Sequence, residues 1–96
     1  MNAAMNVTAG TLSTFTVGLV QMRSGLDPAV NLDVASKLIG DAKAGGAEYV
    51  LTPEMTNIME IRRERLFAAI VAEEADPSLA AFRELARKHA IHLHIG

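Results

Sequence analysis

The stretch Ala44–Glu54, AGGAEYVLTPE, contains the features that decide the fold. The pair Gly45–Gly46 is expected to end a helix, because glycine accepts the left-handed backbone that a helix C-terminus often adopts. Ala47–Thr52 is rich in residues that favour strands, and Pro53 stops the strand because proline has no N–H for the ladder. Glu54 is therefore expected just beyond the end of a strand.

A strand and a helix precede this stretch. Thr14–Met22, TFTVGLVQM, is almost entirely apolar or β-branched, which is typical of a strand covered on both faces. Asp27 suits the cap of a helix and Pro28 its first position, so a helix is predicted from Pro28 to about Ala44. Its apolar residues recur on one side, as Val34, Ala35, Leu38, Ile39 and Ala42. Chain chirality favours a right-handed crossover, so the two strands are predicted to be parallel.

Two helices and a third strand are predicted downstream. Ile58–Ala75 has the composition of a second helix, and the pair Asp76–Pro77 repeats the capped helix start. The third helix has an apolar stripe formed by Leu79, Phe82, Leu85, Ala86 and His89. Ile91–Ile95, IHLHI, is predicted to be the third strand. The fold class is therefore α/β with the order β-α-β-α-α-β, after a flexible tail over residues 1–13 that has no consistent period.

Size and charge limit the functions open to the chain. Its 96 residues suit one small domain, since a domain typically uses roughly 100–200 residues. The formal net charge of −2 argues against a nucleic-acid or anionic-membrane partner. No cysteine is present, which excludes disulfides and a cysteine nucleophile within these residues. Residues 1–13 have no basic start of a signal peptide, and no apolar run approaches the roughly 18 residues that cross a bilayer, so a cytoplasmic location is expected.

Two places in the chain carry residues suited to chemistry. Ligands of open α/β sheets bind beyond the carboxyl ends of the strands, where Glu54 is expected to be either a general base or a solvated carboxylate. Met55 and Met59 either fill apolar gaps or line a pocket wall beside it. His92 and His94 alternate along the third strand and so face one side, where both imidazoles suit a metal. No third ligand is evident in the sequence, so neither a metal site nor a cofactor is predicted.

A basic cluster, Arg62–Arg65, lies in the predicted second helix beside acidic Glu60 and contains Glu64. Such a cluster suggests phosphate binding. Ion pairing at helical spacing on a solvated face is the simpler interpretation, since Glu60 lies three residues before Arg63.

Several motifs, taken in order, resemble the N-terminal part of the nitrilase, or carbon-nitrogen hydrolase, superfamily. They are VGLVQM at Val17–Met22, Asn31–Leu32 early in the first helix, Ala44–Ala47 before a strand, Thr52–Glu54 at its end, and IHLHIG at Ile91–Gly96. The resemblance spans about Phe15 to Gly96, nearly the whole chain. The segments that begin at Gln21 and at Thr52 are most similar to the branch of amidases that act on small ω-amides.

This resemblance implies both a fold and a chemistry. The fold would be an αββα sandwich, of which this chain is the first part. The reaction would be hydrolysis of a non-peptide carbon–nitrogen bond in a small amide, nitrile or carbamoyl compound, using a Glu-Lys-Cys triad and a thioester, without a cofactor. Glu54 matches the family's catalytic glutamate. The resemblance also implies that the family's lysine and cysteine lie beyond Gly96, and none of Lys37, Lys43 and Lys88 occupies the matching motif.

Residues 14–96 are therefore interpreted as the N-terminal part of a truncated carbon-nitrogen hydrolase domain, inactive by itself. The resemblance also implies a small-molecule amide or nitrile substrate and a homo-oligomer. The alternative, from a different functional class, is a non-catalytic α/β fragment or interaction module.

Overall fold

The computed structural model describes residues 13–96, which form one parallel sheet and helices packed on it. The predicted order of elements is confirmed. In chain order they are β1 (Val17–Leu19), α1 (Pro28–Ala44), β2 (Tyr49–Leu51), α2 (Arg63–Ala69), a 3-10 turn (Glu73–Ala75), α3 (Pro77–His89) and β3 (His92–His94). The predicted tail over residues 1–13 lies outside the described residues except for Ser13.

The sheet has the order β1-β2-β3, and both neighbouring pairs are parallel. Val50 in the central strand lies between Gly18 and Leu93. The ladder continues one residue beyond the strands, where the Thr52 amide donates to the His94 carbonyl at 2.9 Å. All three strands therefore end at one edge of the sheet, and the chain leaves the middle of that edge through Pro53 and Glu54.

Both long helices begin as the sequence predicts. The Asp27 carboxylate accepts from the Ala29 amide at 2.9 Å, with Pro28 directly after it. Asp76 does the same for α3, where it accepts from the Ser78 amide at 2.8 Å. Each cap satisfies backbone donors that no preceding helical turn can reach. Gly46, at φ 100°, turns the chain out of α1 in a conformation that costs glycine little.

The core lies between the sheet and the pair α1 and α3, which contact each other and the same face of the sheet. Its fully packed members are Val20, Ala35, Ile39, Ala47, Val50, Phe82 and Ile91. Gly18 lets α1 approach β1 closely, because a Cβ atom there would lie 2.9 Å from the Ala42 Cβ. Burial of Ala35 and Ile39 holds α1 on the sheet, whereas Val34, predicted on the same stripe, is 41% exposed.

The opposite face of the sheet is open to solvent in this chain. Side chains alternate along a strand, so one residue in two points away from the helices. Leu19 is 74% exposed on this face and Val17 is 46% exposed. The chain therefore supplies one helical layer and one sheet layer, in agreement with the first part of a nitrilase-like αββα sandwich.

The second helix differs from its prediction. A helix over Ile58–Ala75 was expected, whereas α2 covers only Arg63–Ala69 and the 3-10 turn follows after an extended Ile70. No residue of α2 is buried, and the Phe67 side chain is 63% exposed. Because packing supplies most of a short helix's stability, apolar residues that meet no core do not extend it.

The strands are also shorter than expected, since β1 pairs only over Val17–Leu19 and not over Thr14–Met22. Within residues 13–96, no helix has the length and apolar character needed to span a membrane.

Candidate functional site

Glu54 lies at the carboxyl edge of the sheet, in the turn that follows the central strand. We call residues 53–56 the Glu54 turn. The Glu54 side chain is exposed, and its carboxylate takes part in no hydrogen bond or ion pair with the described part of the chain. Met55, the next residue, has φ 60°, a left-handed conformation that is unfavourable for residues other than glycine, asparagine and aspartate. The position of Glu54 is thus set by a constrained backbone, while its carboxylate remains accessible.

The hydroxyls of two buried threonines, Thr52 and Thr56, stabilise the Glu54 turn on its buried side. Thr52 is 2% exposed and Thr56 is completely buried. Their Oγ1 atoms lie 2.8 Å apart, and Thr56 Oγ1 also contacts the Pro53 carbonyl oxygen. On the other side, the Gly96 amide donates to Thr52 Oγ1 at 3.1 Å. These contacts connect the Glu54 turn with the end of β3, which is 44 residues away from Thr52.

The loop after β1 contacts the same turn through Ser24. The Ser24 hydroxyl donates to the Thr56 carbonyl at 3.0 Å, across 32 residues of chain. The turn after the central strand is therefore connected to the segments that follow both outer strands.

Asn31 connects the loop after β1 with the loop after β2. It is 3% exposed, and its Oδ1 accepts from the Gly25 amide at 2.8 Å. Its Nδ2 donates to the carbonyls of Gly25, at 3.0 Å, and Asn57, at 2.7 Å. One buried amide thus satisfies three backbone groups from two loops, which is the condition under which a buried polar side chain stabilises a fold.

A cavity of about 320 Å³ opens between the loop after β2, the end of β3 and the start of α3. Asn57, Asp76, Phe82 and Ile95 are among its lining residues, whereas Glu54 is not. The Asn57 Oδ1 atom is buried and has no hydrogen-bond partner among residues 13–96. It is available to accept a hydrogen bond from a group that this part of the chain does not supply.

The two strand histidines lie on the open face of the sheet, as the alternation predicts. His94 Nδ1 is 2.8 Å from the Tyr49 hydroxyl, and the Tyr49 ring centroid lies 6.4 Å from that of His92 and 6.2 Å from that of His94. Among residues 13–96, no group of three His, Cys, Asp or Glu side chains is arranged to hold a metal ion. His94 thus has a tyrosine hydroxyl as its partner in the structure.

The charge cluster of α2 does not form the expected ion pairs. Glu60 lies before the helix, where its Oε2 atom accepts from the Arg62 backbone amide at 3.0 Å. The prediction of helical pairing was wrong here because the helix starts only at Arg63. Met55 and Met59 are 46% and 41% exposed, and neither lines the cavity described above.

The sequence predicts Glu54 just beyond a strand, where the structure has it, but does not predict the residues that hold its turn. A signal for Asn31 was present, because it precedes Ala35 and Ile39 at a spacing of four and so lies on the buried stripe of α1. A polar residue on such a stripe indicates a buried hydrogen-bonding role. No comparable signal distinguishes Thr52 and Thr56. Their contact with each other is local, but the Gly96 amide reaches Thr52 only through the parallel sheet.

Comparison with known proteins identifies the family. A family model described as carbon-nitrogen hydrolase matches residues 16–96. Hydrolase MT0498 and Hydrolase Rv0480c, from two strains of Mycobacterium tuberculosis, are each 48% identical over 40 residues, which make up 42% of this chain and 14% of each relative. The crystal structure of the C. elegans NitFhit protein matches with a TM-score of 0.75 and 28% identity, over 86% of this chain and 21% of that one.

The chain thus spans about a fifth or less of the proteins it resembles. The family match covers every strand and helix of the structure, including the turn that carries Glu54. On this evidence the chain belongs to the carbon-nitrogen hydrolase family.

Proposed function

We propose that this chain contributes the catalytic glutamate of an enzyme that hydrolyses a non-peptide carbon–nitrogen bond. The substrate class is a small amide, nitrile or carbamoyl compound, with small ω-amides favoured by the sequence resemblance. The observation that carries the proposal is the place of Glu54. It is an accessible carboxylate just beyond the end of the central parallel strand, on a turn that is supported by the buried side chains of Thr52 and Thr56. Family membership and the hydrolase names of the mycobacterial relatives support the reaction class.

In the proposed reaction on an amide, Glu54 moves protons between sulfur, nitrogen and water. The carboxylate takes the proton of a cysteine thiol, and the sulfur attacks the substrate carbonyl carbon. The carbon–nitrogen bond breaks as Glu54 gives that proton to the departing nitrogen, and a thioester remains. Glu54 then takes a proton from water, the hydroxide attacks the thioester, and the proton returns to the sulfur. Each step needs a carboxylate that is free to approach its partner.

The thiol and the lysine of this scheme come from outside the chain, which contains no cysteine. The lysine would stabilise the oxyanion that forms on the carbonyl oxygen, a contribution typically worth about 3–4 kcal/mol for one well-placed donor. Lys37 does not suit this role because it lies on the exposed side of α1, where it pairs with Asp41 at 2.8 Å.

The test is the variant Glu54→Gln in a complete carbon-nitrogen hydrolase domain that contains this chain. Glutamine has nearly the same shape but cannot accept the thiol proton, so kcat for ammonia release from small amides should fall by about 10²–10⁴-fold. The matched control is Glu48→Gln, since Glu48 is also exposed but precedes the same strand at the opposite edge of the sheet. Full turnover by Glu54→Gln would exclude the proposed role.

The open sheet face favours a second candidate, an interaction module without catalysis, because Leu19 is 74% exposed there. Such a module would keep its binding when Glu54 is replaced, and no amide would be hydrolysed by the complete domain. A cytoplasmic homo-oligomer that acts on a small molecule remains the expectation under the first candidate. Light scattering of the complete domain would measure its oligomeric state.

A further inference from the structure

We propose that Thr52, Thr56 and Gly96 are positioning residues that hold Glu54 in its catalytic place. This proposal rests on the proposed function above. We call the three residues the turn clamp. They act on the backbone of the Glu54 turn and make no contact with the Glu54 carboxylate in the structure.

The hydroxyls of the clamp form a connected path from β3 to the peptide before Glu54. Each threonine has one hydroxyl proton, so the contacts are all satisfied when Thr52 donates to Thr56 Oγ1 and Thr56 donates to the Pro53 carbonyl. The Thr52 oxygen then accepts from the Gly96 amide. This path ends on the Pro53 carbonyl, in the peptide that joins Pro53 to Glu54. Both hydroxyls are buried, so water does not compete for these bonds.

Gly96 closes the clamp through its lack of a side chain. A Cβ atom at this position would overlap the Pro53 carbonyl oxygen and lie 2.8 Å from the Glu54 amide nitrogen. The obstacle is backbone, which cannot rotate aside as a flexible side chain can. Any larger residue at position 96 must therefore displace either the end of β3 or the Pro53–Glu54 peptide.

The clamp matters because the Glu54 carboxylate has no partner among the described residues that could orient it. The position of the Glu54 side chain therefore depends on the backbone that carries it. Met55, at φ 60°, shows that this backbone is held in an unfavourable conformation. A misplacement of about 1 Å in a reacting group can cost about 10²-fold in rate.

The first experiment compares Thr56→Val with Thr56→Ser in a complete hydrolase domain that contains this chain. Valine keeps the shape of threonine but removes the hydroxyl, so kcat for amide hydrolysis should fall by about 10–10²-fold with KM within about threefold. Serine keeps the hydroxyl and should restore kcat to within about threefold. An unchanged kcat in Thr56→Val, or no recovery with serine in a folded domain, would overturn the proposal.

A double variant separates positioning from general loss of structure. If Thr56 acts through Glu54, adding Thr56→Val to Glu54→Gln should leave the residual kcat unchanged within about twofold. A further drop of the same size as in the single variant would show that Thr56 acts elsewhere, and the proposal would fail. High activity of Glu54→Gln alone would instead refute the proposed function, so the two failures are distinguishable.

Gly96→Ala tests the clamp from the side of β3, with Gly40→Ala as control. Gly96→Ala should lower kcat by about 10-fold or more, whereas a Cβ at Gly40 meets no atom within 4 Å and should leave kcat unchanged.

If Thr56→Val or Gly96→Ala does not fold, Met55→Gly provides the test. Glycine at Met55 removes the cost of the left-handed conformation, so folding is preserved while the turn gains freedom. A kcat reduced by several-fold in this folded variant supports positioning by the turn, and an unchanged kcat overturns it.

Discussion

Replacement of Asn31 by alanine should weaken the connection between the loop after β1 and the loop after β2, which contains the Glu54 turn. The Gly25 amide and the Asn57 carbonyl lose their side-chain partner, whereas the Gly25 carbonyl keeps the Met59 amide at 2.9 Å. Two partly buried backbone groups that lose their partner cost about 1–1.5 kcal/mol each, at the lower end of measured values. The higher helix propensity of alanine returns about 0.5 kcal/mol. The net loss is therefore about 2 kcal/mol.

The assay is amide hydrogen exchange followed by NMR, because it reports on one hydrogen bond at a time. The Met59 amide, which donates to Gly25, should exchange about 30-fold faster in Asn31→Ala, the equivalent of about 2 kcal/mol. Asp33→Ala is the control, since Asp33 is an exposed residue of the same helix. A change below about threefold at Met59 would refute the reasoning.

Asn31→Asp adds a pH signature to the same test. The variant keeps the oxygen that accepts from Gly25 but turns its second oxygen towards two carbonyls. A neutral carboxyl group can donate there and a carboxylate cannot, so the folded-state pKa of the introduced group should lie above its ordinary value of about 3.9. The variant should therefore be closest to wild type in stability below about pH 4 and lose stability as the pH rises through that pKa.

Three further changes test the packing of the fold by chemical unfolding. Gly18→Ala should destabilise by about 1–3 kcal/mol, because its Cβ would lie 2.9 Å from a side chain of α1, whereas the unobstructed Gly40→Ala should stabilise by up to about 1 kcal/mol. Ile39→Ala, at a fully buried position, should lower the free energy of unfolding by about 2–5 kcal/mol. Val34 is 41% exposed on the same helix, so Val34→Ala should lower it by less than about 1 kcal/mol. Ala90→Gly should raise stability by about 0.5 kcal/mol, because Ala90 ends α3 at φ 54°. Equal effects of Gly18→Ala and Gly40→Ala, or of Ile39→Ala and Val34→Ala, would contradict the described packing. A destabilising Ala90→Gly would contradict it as well.

The helices that carry both a cap and a buried stripe were predictable from the sequence. Pro28–Ala44 was predicted with its start and end correct, because Asp27 and Gly45 act locally and the stripe meets the sheet. The second helix lacked both features. Arg62 at its N-cap makes no side-chain cap, and Phe67 has no core to contact, so composition alone overestimated its length.

The site was predictable only in part, for a physical reason. The place of Glu54 follows from local signals, a strand stopped by proline. The support of its turn depends on contacts between residues that are 44 positions apart in sequence, and no periodic pattern encodes them. The sequence predicts Thr52 as the last residue of a strand and Thr56 as a loop residue, and only the parallel register of β2 and β3 brings the Gly96 amide to the Thr52 hydroxyl.

The connection between Gly96 and the Glu54 turn also affects the order in which parts of the protein can fold. As the polypeptide leaves the ribosome, residues up to the end of α3 can collapse while the loop that carries Glu54 is still unanchored, since β3 and Gly96 are synthesised after them. Closing so long a segment is slow compared with forming a helix. Newly made molecules should therefore form their helices before the Glu54 carboxylate is held in its final position.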